Sequence, residues 1–394
     1  MSLNYFLKHT ALSAIPFLCV VTLSAQTSLL TADQITLSHS WSQEPDGWDY
    51  PISLHIPENA DEDSPMPVCI ALHGSNSDGS AMVSNLSQWL DCHMVIAPTG
   101  YNNGWNLCSE SSKAPDIEML ASLLSQLTSF QNVDTNRISL LGLSNGGGLV
   151  NQALIELSNY NISSFVAVVS QFNEPQYHNE SFHKPISNEE VNPIPIENYC
   201  GYTVPVDPAN GNRYLSVCNY NDPIIPFEGG AAVGNYFLHA TESIYKVAVS
   251  QGYSGPELFT GDDIENNLVE YEYLGGDVKM IVGLNYHGMN EAQENHVSSF
   301  LMNCITNSIV EDEKQIAYWD IAPNPVKNSI TITSESILVD SPYRVTDMQG
   351  KIVLEGILSN TSITLNTDHL SNGRYTISLI SKNTLLTKPL LIQK

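Results

Sequence analysis

Positive charge is scarce in this chain: its 394 residues carry 15 Lys and Arg against 42 Asp and Glu, a formal net charge of −27. A surface this acidic repels phosphate backbones and anionic lipid, which argues against nucleic acid and acidic polymers as partners and for a neutral or ester-capped substrate. Acidity for solubility alone is the simpler alternative. The deficit is uneven. From Asp320 onward there are seven Lys/Arg and six Asp/Glu, so nearly all of the imbalance precedes that point. Cysteine is scarce as well, seven in all. None stands in a Cys-x-x-Cys or clustered His/Cys spacing, so neither a metal site nor another cofactor is expected.

Long apolar runs are lacking except at the start. Lys8 and His9 precede the apolar stretch 11–23, which contains Pro16, and Ser24-Ala25-Gln26 then supplies small residues for cleavage. This reads as an export signal over residues 1–25. It is short for a bilayer span, and Leu18 before Cys19 is too bulky for a lipoprotein signal. Its removal leaves Cys69, Cys92, Cys108, Cys200, Cys218 and Cys304. Outside the cytoplasm these can form disulfides, and six cysteines permit 15 pairings between which the sequence does not choose. Cys69 and Cys218 lie in apolar runs, as buried free thiols do.

What is present is a regular alternation. Apolar runs at 68–72, 94–97, 138–142, 165–169, 214–218 and 278–282 read as strands, several apolar on both faces. Helix-length amphipathic segments fill the gaps at 80–90, 114–130, 147–158, 232–250 and 291–304. That order predicts an α/β, doubly wound, mostly parallel sheet. The stretch 173–212 is rich in Pro, Asn and Glu and has no clear period. It is expected as a long loop that acts as a lid or binding wall, or as a plain surface insertion. After Asp320, Pro323-Asn324-Pro325 punctuates the chain and short alternating strands follow at 329–333, 343–347, 351–354, 361–365 and 374–380. Turn-like Met348-Gln349-Gly350 and Ser371-Asn372-Gly373 separate them, as in a small β-sandwich of roughly 70 residues. The expected division is 1–25 signal, 26–312 catalytic α/β domain and 313–394 C-terminal β domain.

Gly142-Leu143-Ser144-Asn145-Gly146 matches Gly-x-Ser-x-Gly, after a strand and before a helix. A sharp turn there exposes the serine hydroxyl, small flanking residues avoid clashes, and the helix N-terminus offers N–H groups to an oxyanion. His73-Gly74-Ser75 follows the strand at 68–72, where this arrangement places the second oxyanion donor. Backbone N–H groups of Asn145 and of the Gly74-Ser75 turn are therefore expected to converge, with His73 a structural residue. The chain order Ser…Asp…His points to Asp222, after the strand at 214–218, and to His287, after the strand at 278–282. His287 would take the serine proton and Asp222 would hold the imidazole. His239 and His296 on predicted helices, and Asp262, Asp263 and Asp277 beside loops, remain rivals for these roles.

Ser144-Asn145-Gly146-Gly147, Asp222-Pro223 with Pro226-Phe227-Glu228-Gly229-Gly230, Gly104-Trp105-Asn106, the His73-Gly74 loop and Val133-Asp134-Thr135-Asn136-Arg137-Ile138 together resemble the polyhydroxybutyrate depolymerase and feruloyl esterase branch of the α/β-hydrolases. The resemblance covers roughly residues 50–305. It implies secreted ester hydrolysis through an acyl-enzyme, on polyhydroxyalkanoate-like polymers or esterified plant polysaccharide. Two positions depart from the pattern. Asn219-Tyr220-Asn221 stands where that family usually has His-Gly, and Met289 where a tryptophan often follows the histidine. These departures bear on the substrate; Trp105 and Met289 are the candidate substrate contacts. The tail, with Ile321-Ala322-Pro323-Asn324-Pro325-Val326, Val345-Thr346-Asp347-Met348-Gln349-Gly350-Lys351 and Leu370-Ser371-Asn372-Gly373-Arg374-Tyr375, resembles a type IX secretion sorting domain. It implies a secretion-machinery partner and a destination outside the cell or on the outer-membrane surface. A polymer-binding module is the alternative for the tail. A serine peptidase with the same triad, or a non-catalytic binding protein on a hydrolase scaffold, are the alternatives for the body.

Overall fold

The computed structural model describes residues 29–31, 34–58, 60–61, 64–108, 110–190, 198–208, 211–301, 319–334, 338–339, 341–347, 351–381 and 384–394. The expected export signal, Cys304, the domain border at 312/313 and the Met348-Gln349-Gly350 turn lie outside them. The chain divides into two compact units, Met1–Ile305 and Thr306–Lys394.

In the first unit nine strands form one sheet: β1 (Ile52–His55), β2 (Met66–Leu72), β3 (Met94–Pro98), β4 (Val133–Leu143), β5 (Ser164–Val168), β6 (Arg213–Asn219), β7 (Asp262–Ile264), β8 (Leu268–Tyr273) and β9 (Val278–Gly283). Their order is β7-β8-β9-β6-β5-β4-β2-β3-β1. The run from β3 to β9 across the centre is parallel, while β1, β8 and β7 pair antiparallel at the edges. Every residue of β2, β3 and β5 is buried, as parallel strands covered on both faces must be.

The two faces are visible in alternate residues of one strand. Val68, Ile70 and Leu72 of β2 join one apolar cluster, and Cys69 and Ala71 join another. Helices α1 (Gly79–Leu86) and α5 (Glu291–Leu301) supply Met82, Leu86, Val297 and Phe300 to the second cluster. Helices α2 (Asp116–Leu127), α3 (Asn145–Glu156) and α4 (Ala240–Ser250) cover the opposite face. In α2 the buried set Met119, Leu120, Leu123, Leu124 and Leu127 repeats at three and four residues, which makes one apolar stripe. In α1 the Asp78 side chain accepts from Ala81 N at 2.9 Å and so caps the helix. This is the doubly wound, mostly parallel α/β layout expected from the alternation.

Three expectations need correction. The edge strands β1, β7 and β8 are absent from the anticipated set. β1 and β7 contain no fully buried residue and β8 only three, so none of them has the doubly apolar composition of the central strands. The helix expected over 232–250 begins at Ala240, because Gly230–Ala232 and Asn235–Phe237 form a hairpin turned at Val233 (φ 41°) and Gly234 (φ 77°). The stretch 173–212 is not a plain loop: Tyr177–His178, Ser181–Pro185 and Tyr202–Val206 make a three-stranded antiparallel sheet. A Cys108–Cys200 disulfide ties it to the segment after Trp105. Cys69 and Cys218 are buried free thiols, pushed up to about 12 and about 11 by burial.

In the second unit β10 (Trp319–Ala322), β11 (Ser329–Ser334) and β14 (Ser362–Asn366) form one antiparallel sheet. A second sheet, in the order β13-β12-β15-β16, joins β12 (Pro342–Asp347), β13 (Ile352–Ile357), β15 (Gly373–Ser381) and β16 (Thr384–Ile392). Ile330, Ile332 and Leu365 from the first and Val345, Ile377 and Leu379 from the second belong to one buried cluster.

Candidate active site

Ser144 sits on the turn between β4 and α3 with φ 54° and ψ −116°, a conformation that costs a non-glycine residue energy and persists only where the surroundings enforce it. Its N–H donates to Val168 O (2.9 Å) and its carbonyl accepts from Gly148 N (3.0 Å). The two motif glycines are required by close backbone approach. A methyl at Gly142 would stand 2.1 Å from Gly146 O, and one at Gly146 would stand 2.2 Å from Leu72 O. Any larger residue therefore pushes the elbow off the sheet.

His287 lies on the loop after β9 and Asp222 on the loop after β6, both at the same sheet edge as the turn. The imidazole Nε2 is 2.7 Å from Ser144 Oγ and Nδ1 is 2.8 Å from Asp222 Oδ2. Asp222 is 5% exposed, and its Oδ1 accepts the backbone N–H groups of Ile224 (2.8 Å) and Ile225 (3.1 Å). A carboxylate held this way accepts from Nδ1–H, which leaves Nε2 free to accept the serine proton. The structure brings Ser144, His287 and Asp222 together. It does not bring in the rivals. His239 caps α4, with its Nδ1 accepting Thr241 N (3.2 Å). His296 lies on α5 in a groove with Asp263, Glu265 and Glu270. Asp262 and Asp263 belong to the edge strand β7, and Asp277 pairs with Arg213 at 3.6 Å.

Asn145 is the first residue of α3, so its N–H has no partner within the helix and sits at the positive end of the helix dipole. Gly74 lies directly against the turn; a methyl on it would be 3.5 Å from Ser144 Cβ. The residue before it is fully buried: His73 Nδ1 lies 2.7 Å from Gly74 O and its Nε2 accepts Gly100 N (2.9 Å). The Nε2 acceptor role requires the proton on Nδ1, and burial holds the ring below its ordinary titration range. His73 is thus a structural ring that fixes the Gly74-Ser75 turn.

Trp105 was expected against substrate and is instead completely buried. Its Nε1 donates to His73 O (2.8 Å), its ring lies 4.8 Å from the His73 ring, and its N–H donates to Asn145 Oδ1 (2.7 Å). It supports the site from behind and has no surface left for a ligand. Met289 is half-buried against the second apolar cluster. Three contributors were not anticipated. Glu110 accepts Asn145 Nδ2 (2.8 Å) and Cys108 N (2.7 Å), which fastens the segment after Trp105 to the residue next to the serine. Asn219 and Gln293 lie behind the histidine loop. Only the departure at Asn219-Tyr220-Asn221 hinted at any of them. The loops bearing Asp222 and His287 expose Tyr220, Ile224, Leu284 and Tyr286 beside the site.

Comparison with known proteins divides in the same way as the chain. Over 195 residues it is 23% identical to a protein of Aspergillus niger named probable feruloyl esterase C, covering 47% of this chain and 60% of that protein. It thus spans less than two thirds of that relative's length. Two solved structures are similar at low identity. An acetyl xylan esterase from Aspergillus awamori is 14% identical with a TM-score of 0.43, over 63% of this chain and 93% of that one. A Bacillus cereus carboxylesterase is 13% identical with a TM-score of 0.41, over 64% and 93%. Residues 320–393 match the model of the secretion system C-terminal sorting domain, and that segment belongs to this family.

Proposed function

We infer that the protein is an exported serine esterase. The observation that carries this reading is the continuous hydrogen-bonded series Ser144 Oγ, His287 and Asp222, with separations of 2.7 and 2.8 Å. His287 takes the Ser144 proton as Oγ attacks the ester carbonyl. The Asn145 N–H and the Gly74-Ser75 turn hold the tetrahedral oxyanion, and His287 then protonates the departing alcohol. A water activated by the same imidazole releases the acid from the acyl-serine.

The substrate class rests on three supports. The similar relative is named as a feruloyl esterase. The body of the chain is acidic, which favours a neutral ester over an anionic one. Tyr220, Ile224, Leu284 and Tyr286 are exposed on the loops that carry Asp222 and His287, and apolar side chains there would suit an aromatic acyl group or a polyester chain. Esters of feruloyl or acetyl type on polysaccharide, and hydroxybutyrate-type polymers, meet these conditions. Met289, beside His287, is the remaining sequence-derived candidate for a substrate contact. The sorting tail adds passage through the type IX machinery to the surface or beyond, with residues 1–25 as the inner-membrane signal, 26–312 as the catalytic domain and 313–394 as a β-sandwich tail.

Hydrolysis of para-nitrophenyl acetate, methyl ferulate and hydroxybutyrate oligomers by the mature protein, with Ser144→Ala alongside, tests the reading. Turnover lost in the variant supports it, and the preferred substrate selects the branch. No turnover of any ester, or turnover that survives Ser144→Ala, rejects it.

A further inference from the structure

His287 sits on a loop that packing alone holds poorly. Met289 contacts the core, but Leu284 and Tyr286, on the near side of the histidine, are 56% and 75% exposed. What fixes the loop is polar and comes from beneath. Asn219, the last residue of β6, is 1% exposed, and its Nδ2 donates to the carbonyls of Tyr286 (3.0 Å) and Gly288 (2.7 Å), the residues on either side of His287. Its Oδ1 accepts Gln293 Nε2 (2.9 Å), and that fully buried amide also donates to Cys218 O at 3.3 Å. Gln293 Oε1 accepts Asn290 N (3.2 Å) at the far end of the same loop. The direction of each amide follows from its neighbours, since Asn219 turned over would set its oxygen against two carbonyls. Gly283, where β9 runs into the loop, leaves room for the pair. A methyl there would come 2.7 Å from Gln293 Nε2 and 2.8 Å from Asn219 Oδ1.

We propose that Asn219, locked by Gln293, is the positioning residue for His287, setting the height and tilt of the imidazole between Ser144 and Asp222. The proposal rests on the esterase reading of the triad. Asn219 touches no reacting atom; it acts through the two peptide units that carry the base. Because proton transfer needs the base within hydrogen-bond reach of the hydroxyl, a displacement on the order of 1 Å costs about 10²-fold in rate. A single amide thus supplies the donors to both carbonyls that flank His287.

The test compares the full chain with Asn219→Asp and Gly283→Ala for kcat, KM and pH profile on para-nitrophenyl acetate, with thermal melting as the check on folding. In Asn219→Asp an ionised carboxylate would face two carbonyls, whereas its protonated form donates one hydrogen bond. The expected result is a kcat lowered about 10²-fold with KM within about threefold. A new alkaline decline absent from the parent should accompany it, because only the protonated carboxyl holds the loop. Gly283→Ala displaces the amide pair without adding a titrating group, so kcat should fall with no new pH limb. A kcat within about threefold of the parent in both variants, with unchanged pH profiles, overturns the proposal. Should Asn219→Asp not fold, Gln293→Met removes the lock while leaving Asn219 in place and carries the same expectation for kcat and KM. The low-field NMR resonance of the His287 Nδ1 proton, held by Asp222, needs no substrate. It should move or broaden in the variants, and an unmoved resonance counts against the clamp even if the parent hydrolyses no ester, an outcome that would reject the esterase reading by itself.

Discussion

Trp105 shows how a side chain near a nucleophile can belong to the scaffold. From the sequence Trp105 is a candidate substrate contact, yet its indole is enclosed and spends its N–H on His73 O. Trp105→Phe keeps most of the buried ring and deletes that donor, leaving a buried carbonyl without its partner. The expected cost is about 1–3 kcal/mol of stability. Turnover should fall by the same factor on acetyl, feruloyl and hydroxybutyrate esters, because the Gly74-Ser75 turn shifts for all of them. Melting curves and relative kcat/KM values check this, and a change of ester preference would return Trp105 to the substrate side. The convergence of Ser144, His287 and Asp222 was legible because the serine motif, the chain order and the strand ends each constrain the answer independently. Asn219 and Glu110 were not legible. Asn219 bonds to main-chain carbonyls 67 and 69 residues away, and Glu110 bonds to an amide 35 residues away. Backbone carbonyls carry no side-chain signature, and a carboxylate–amide contact between residues 35 apart follows no sequence period, so neither role could be read from the sequence.

At the scale of elements, the doubly apolar strands and the longer helices were readable because burial on both faces, or on one stripe, imposes a composition. The edge strands and the sheet within 173–212 were not. Their pairing depends on partners far along the chain, and their residues face water on one side. Helix α3 carries a separate consequence. Glu156 at its C-terminal end accepts Gln152 Nε2 (2.8 Å), and burial, opposed by Gln152 and Lys184, holds its carboxyl up at about 7. A carboxyl whose folded value is raised binds its proton more tightly in the folded state, so folding loses stability as pH rises from about 4.5 to about 7. Glu156→Gln removes that dependence. The variant should match the parent near pH 5 and exceed it by about 1–2 kcal/mol at pH 8, measured as unfolding free energy in denaturant at the two pH values. Asp116, also raised to about 7 chiefly by burial, has the same sign, so the difference between variant and parent, rather than the parent's slope, isolates Glu156. Equal gains at both pH values would mean that packing, not ionisation, distinguishes the two side chains.

At the scale of the whole molecule, the charge asymmetry and the sorting-domain match fall on the same division. The acidic residues crowd into the first unit, while the second is close to neutral and is the part that matches the sorting family. Each unit has its own buried apolar clusters, and Ser144, Asp222, His287, Asn145 and Gly74 all come from the first. Catalysis and export should therefore separate. A chain ending at Ile305 keeps Ser144, Asp222, His287, Asn145, the Gly74-Ser75 turn, Asn219 and Gln293, so under the esterase reading its kcat/KM on a soluble ester should stay within about twofold of the full chain. Expressed in a cell with an intact type IX pathway, the same truncated chain should accumulate behind the outer membrane while the full chain reaches the medium or the surface. Fractionation followed by esterase assay reads both halves at once. Activity retained but trapped supports two independent units. A soluble, folded truncation that has lost turnover would show that the second unit contributes to the site, and a truncation that still reaches the medium would show that export does not depend on the tail.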